Sequence, residues 1–148
     1  MKLVAPLLAV LLIPAFSWSR LGALQEQEEH ETELASRMEK IEDALKQLRK
    51  DLKDPGATPA ALAGLAGIQA ETLACKLLVP ASAAEQAEGE RAAFVTAYRR
   101  TMVDFLLRQL ELEAALLDQD AEGTKSAFER LRAMEDSAHE RFAPEEGD

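Results

Sequence analysis

The chain has 148 residues, with 17 Lys and Arg against 27 Asp and Glu, hence a formal net charge of −10 and a pI near 4.7. That length suits one domain, and a hydrophobic share of 47% supports a packed core rather than a disordered chain. No basic stripe is available to neutralise phosphates, which excludes nucleic acid as a partner. The single Cys excludes an intrachain disulfide and a four-cysteine zinc site.

Every acidic residue lies at or after Glu26. Ahead of them, Met1-Lys2 is followed by the apolar run Leu3–Phe16, interrupted by Pro6 and Pro14. The run is shorter than the roughly 20 residues that cross a bilayer, which predicts a secretory signal peptide over residues 1–23 rather than a spanning helix. Ser17-Trp18-Ser19 and Leu21-Gly22-Ala23 both offer a small residue at the cut. A retained N-terminal anchor is the alternative. The expected mature domain, 24–148, is then exported, with a bacterial periplasm as its setting and no stable membrane insertion after cleavage.

Spacing predicts four helices. After an acidic lead-in from Gln25 to Glu33, Leu34, Met38, Ile41, Leu45, Leu48 and Leu52 recur at steps of 4, 3, 4, 3 and 4, the seam of a helix packed on near-parallel neighbours. Asp54-Pro55-Gly56 stops it. Thr58-Pro59 restarts the chain as an N-cap followed by a proline at the first helical position. Leu65, Ile68, Thr72, Cys75 and Val79 mark a second seam that ends at Pro80, and 80–89 reads as a connection. The third helix, from about Glu90 to Asp118, carries Val95, Tyr98, Met102, Phe105, Gln109, Leu112 and Leu116, with Gln109 the one polar interruption. A turn around Asp118–Gly123 leads to a fourth, with Ala127, Leu131, Met134 and Ala138 inward and Phe128 and Phe142 widening the stripe. Ala and Leu favour helix, and short links favour antiparallel neighbours. The expected fold is all-α, an antiparallel up-down-up-down four-helix bundle.

Chemistry-bearing residues are scarce. Two His and one Cys supply no catalytic triad, and neither a phosphate-binding glycine loop nor an HExxH run is present, so no enzyme activity is expected. A di-metal carboxylate bundle needs Glu-x-x-His on two helices, whereas Asp136-Ser137-Ala138-His139 gives a single Asp version. His30 with Glu29, Glu31 and Glu33 would make at most a weak metal site on a solvated terminus. Met38 and His139 are more informative. An up-and-down bundle places the start of its first helix beside the end of its fourth, which brings these two residues to similar heights. A seam Met is ordinarily core filler, and a His in a last turn ordinarily complements the helix dipole. A Met and a His facing one cavity, however, are what a six-coordinate haem iron requires.

The stretch Leu34-x-x-x-Met38-Glu39-x-Ile41-x-x-x-Leu45-Lys46 resembles the opening helix of the soluble cytochrome b562 family, periplasmic four-helix b-type cytochromes in which that Met is an axial haem ligand. Leu131 through Ala138-His139-x-x-Phe142 resembles the family's closing helix and that of the related cytochromes c′. The c′ branch attaches haem through Cys-x-x-Cys-His. Here those cysteine positions are Glu135 and Ala138, so the resemblance implies one non-covalent haem b per chain. It covers most of residues 30–143 and is specific at the two ends. It implies Met38 and His139 as axial ligands of the haem iron. Leu34, Ile41, Leu45, Phe94, Tyr98, Met102 and Phe142 would surround the haem. Glu135 departs from the family pattern and would hydrogen-bond the imidazole or face a propionate. Cys75 reads as a small buried residue.

The function implied is a soluble electron carrier, monomer or weak dimer, steered by its negative charge toward basic redox partner proteins. The alternative is a haem-free bundle of the same superfamily acting as a periplasmic binding or interaction module, in which Met38 and His139 are ordinary residues.

Overall fold

The computed structural model describes residues 18–143, with side chains from 33 onward. Four helices account for most of it: α1 (Trp18–Asp51), α2 (Thr58–Cys75), α3 (Arg91–Leu117) and α4 (Ala121–Phe142), with short 3-10 turns at Pro55–Ala57 and Ala81–Ala83. There is no strand among the described residues, and the expected all-α class holds. Residues 1–17 of the expected leader lie outside this range, while α1 runs unbroken from Trp18 through Ala23. No helix among the described residues is long and apolar enough to cross a membrane.

The helix ends follow local chemistry. After α1 the Asp54 side chain accepts from the Gly56 N–H at 2.9 Å and closes the turn. Thr58, expected as the N-cap of α2, is instead its first residue; its hydroxyl donates to the Pro55 carbonyl at 3.3 Å, and Ala57 occupies the cap position without a side-chain bond. At the other end α2 stops at Cys75, earlier than the seam to Val79 predicts. The backbone turns through Lys76–Leu78, so Leu78 is buried and Val79 exposed. The connection that follows is not a loose link. Ser82 and Ala83 are buried, the Ser82 hydroxyl donates to the Phe142 carbonyl at 2.6 Å, and Arg91 donates to the carbonyls of Ala83 and Ala84. The turn before α4 is short. Gln119 takes a positive φ of 55°, and Asp120 caps α4 by accepting from the Gly123 N–H at 2.9 Å.

Successive helices run antiparallel. Arg37 of α1 meets Glu71 of α2 at 2.7 Å, while the far end of α1 turns directly into the start of α2. Gln69 donates to Glu113 and Gln109 donates to Thr72, so rising numbers on α2 meet falling numbers on α3. Between α3 and α4, Arg130 reaches Glu111 at 3.6 Å and the Phe142 ring meets Phe94 and Tyr98. The pairs α1/α2, α2/α3 and α3/α4 pack closely, and α1 and α4 pack less closely than any of these.

The core runs through all four helices, with Leu45, Leu48, Leu65, Ile68, Leu112 and Leu131 buried almost completely. Full burial of such side chains stabilises by roughly 1.5–3 kcal/mol each. On α4 the seam shifts from expectation. Ala127 and Leu131 are buried, Met134 and Ala138 are half-buried, and Glu135 takes the fully buried place between them. Its carboxylate is tolerated there because Arg132, one turn back on the same helix, pairs with it.

Candidate functional site

The candidate haem-binding residues fall into two groups at one end of the molecule. On the α3 side, Phe94, Tyr98 and Phe142 form an aromatic cluster. The Phe142 ring stands edge-on to Phe94 at 5.3 Å and to Tyr98 at 5.5 Å, geometries worth about 0.5–1.5 kcal/mol per pair beyond burial. The Tyr98 hydroxyl donates to the Cys75 carbonyl at 3.0 Å, which anchors the cluster to the end of α2. Burial pushes the Tyr98 phenol well above its usual range and the Cys75 thiol up to about 11, so both stay neutral at physiological pH. Met102 lies one turn further along α3, buried in the core.

On the other side stand α1 and α4. Leu34, Ile41 and Leu45 of α1 are buried, while Met38, in the same seam, is half-buried and packs against the core. His139 of α4 is also half-buried. Glu42 lies one turn after Met38 on α1. Lys46, at 2.8 Å, holds the Glu42 carboxyl below its usual range, and His139 across the seam adds a smaller pull. Burial pushes the Glu135 carboxyl above its usual range, against the opposing pulls of Arg132 and His139. The Glu135 carboxylate takes its hydrogen bond from Arg132. The bond to the imidazole envisaged from the resemblance is not among those of the described residues.

A haem between two protein ligands needs neutral donors on facing walls of an apolar gap. The donor types suit such a group: Met38 offers a thioether on α1 and His139 an imidazole on α4, both half-buried. The neighbouring walls are apolar, with Leu34, Ile41 and Phe142 buried.

Further along the same seam a groove of about 1280 Å³ opens toward the other end of the molecule. Its walls include Leu52, Leu62, Leu116 and Phe128, with Arg49, Lys53, Lys125 and Arg132 among its charged residues. It reaches Asp136, one turn short of His139, and includes neither Met38 nor His139. The sequence shows no sign of this groove, because its residues come from two stretches far apart in the chain, Arg49–Leu62 and Leu116–Asp136. No group of three or more His, Cys, Asp or Glu able to hold a metal ion occurs among the described residues, and the His30 side chain lies outside them. Glu33, assigned to that weak metal reading, is paired with Arg37 at 2.8 Å.

The chain matches no family model, no curated protein and no solved structure.

Proposed function

We propose that this protein is an exported electron carrier, an up-down-up-down four-helix bundle that holds one non-covalent haem b between Met38 and His139. What supports the reading is a half-buried thioether on α1 and a half-buried imidazole near the end of α4, on two helices that pack less closely than α1/α2, α2/α3 or α3/α4. When bound, the haem would supply a one-electron iron couple, and Met38 and His139 would be the residues that hold it. Met38 would favour the reduced state, since thioether ligation raises the potential. His139 would give the stronger ligand, held at the end of a helix whose last turn is tied to the α2–α3 connection through the Ser82–Phe142 bond. Phe94, Tyr98 and Phe142 would exclude water on the α3 side. The net charge of −10 would steer the protein toward basic redox partners, with a rate that falls as salt rises.

Haemin titration of the purified protein tests this. One equivalent per chain should give a sharp Soret band and low-spin visible bands after reduction. His139→Ala should weaken binding by more than the roughly 10- to 100-fold that losing an outer-shell partner costs. Met38→Ala should keep haem, open a coordination site and lower the potential. Failure of the parent to take up haem, or variants that bind as it does, overturns the assignment.

One observation favours a second reading, the haem-free binding module. The groove between α1 and α4 lies away from the two donor residues. In that case haem uptake is absent and an apolar probe displaced from the groove reports the true ligand.

A further inference from the structure

Seven large hydrophobic side chains are exposed among the described residues, and all of them lie on α2, the residues just after it, or α3. On α3, Val103, Leu107, Leu110, Ala114 and Leu117 follow one another at steps of 4, 3, 4 and 3, and all five are exposed. This is a second seam, on the side of α3 turned away from the core seam of Tyr98, Met102, Phe105, Gln109, Leu112 and Leu116. A helix with apolar residues at that spacing on its outer side presents a surface for another helix. The neighbouring flank of α2 extends it. Leu73 lies one turn after Gln69, which reaches across to Glu113, and Leu77 follows one turn later with 70% of its surface exposed.

We infer that this α2/α3 face is the interface of a homodimer in which α3 packs antiparallel against α3 of a second copy, about a twofold axis near Leu107 and Leu110. The charges of α3 select that occupant. Its first half carries the exposed Arg99 and Arg100 after Glu90 at the N-cap, and its C-terminal end carries the exposed Asp118, while Arg91, Glu111 and Glu113 are engaged within the chain. Antiparallel apposition about that axis sets Arg99 of each copy opposite Asp118 of the other. Parallel apposition would set like charges together. A twofold axis makes one patch complementary to itself, which is the geometry of a closed isologous dimer. The Arg99 and Arg100 side chains remain accessible for this, Arg100 being 77% exposed even while paired with Asp104. An anionic lipid surface is a poor alternative for a chain of net charge −10. The face lies across the molecule from the α1/α4 seam, so the inference is independent of whether haem binds there.

Sedimentation equilibrium of the full protein across a micromolar to sub-millimolar range tests it. A reversible dimer is expected. Leu107→Glu, at the axis and on the surface, should leave the helical circular dichroism unchanged and raise the dimer dissociation constant by about 100-fold or more, as loss of a central anchor does. Arg99→Glu with Arg100→Glu should weaken the dimer, and adding Asp118→Arg should restore part of the loss. A chain that stays monomeric at the highest concentration overturns the inference. So does a dimer indifferent to Leu107→Glu, or one weakened by the charge reversal without rescue.

Discussion

At the scale of single residues, two polar side chains of the core, on different helices, are bonded to each other. Gln109 is 0% exposed and Thr72 is 1% exposed; the Gln109 amide donates to the Thr72 hydroxyl at 2.8 Å, and that hydroxyl donates to the Ile68 carbonyl. Gln109 Oε1 has no partner. A buried unpaired acceptor costs about 1–3 kcal/mol, whereas removing both partners together leaves nothing stranded. The double variant Gln109→Leu, Thr72→Val should therefore stabilise by about 1 kcal/mol, while Thr72→Val alone should destabilise by about 1–3 kcal/mol. Urea denaturation measures both. Glu135 poses the opposite problem, a charge in place of an orphan. Burial raises the pKa of its carboxyl in the folded protein, so between the two values the folded state holds a proton that the unfolded state, near the ordinary carboxylate value of 4.5, has released. Stability from this group is then present below pH 4.5 and lost as pH rises through the folded value. Glu135→Gln should flatten the stability–pH curve in that window, as thermal melts at stepped pH would show.

At the scale of elements, helix ends carry the specificity that propensity does not. α4 begins at a cap in which Asp120 folds over its own first turn, and a Cβ on Gly123 would collide with the Asp120 carboxylate. Asp120→Ala should cost about 1 kcal/mol, the usual loss for a capping side chain. Gly123→Ala should cost a similar amount by displacing the same carboxylate. The two substitutions should not add, since each removes one and the same bond. Guanidinium denaturation of the two single variants and the double variant closes that cycle. The end of α2 shows where spacing misleads. Val79 keeps the period of Leu65, Ile68, Thr72 and Cys75, yet the helix has already ended, and Leu78 turns inward instead. A period describes a helix only while the backbone remains helical, and Pro80 constrains the chain just ahead of it.

At the scale of the whole molecule, the two candidate surfaces lie on opposite sides. The α1/α4 seam gathers the thioether, the imidazole and the groove, and the proposed haem titration reads that side. The α2/α3 face gathers the exposed leucines and the split charge of α3, and sedimentation reads that one. In a dimer through α2/α3, both α1/α4 seams would face outward and remain open to a cofactor and to a redox partner. Added salt would act on both charge-dependent steps, screening the ends of α3 and the approach of a basic partner alike.

Much of the molecule was legible in the chain alone: the helical class, the existence of four helices and most of the core, because seams at steps of 3 and 4 record which side of each helix avoids water; the start of α1 at Trp18 and the end of α2 at Cys75 were not. Pattern alone could not show that the two polar breaks, Thr72 and Gln109, answer each other, since they stand on different helices. Nor could it show that Glu135 is buried, because its tolerance depends on the reach of Arg132. The groove and the outward seam of α3 belong to tertiary structure for the same reason. Whether an apolar residue is covered depends on which helix lies beside it, and that is decided by packing among segments far apart in the chain.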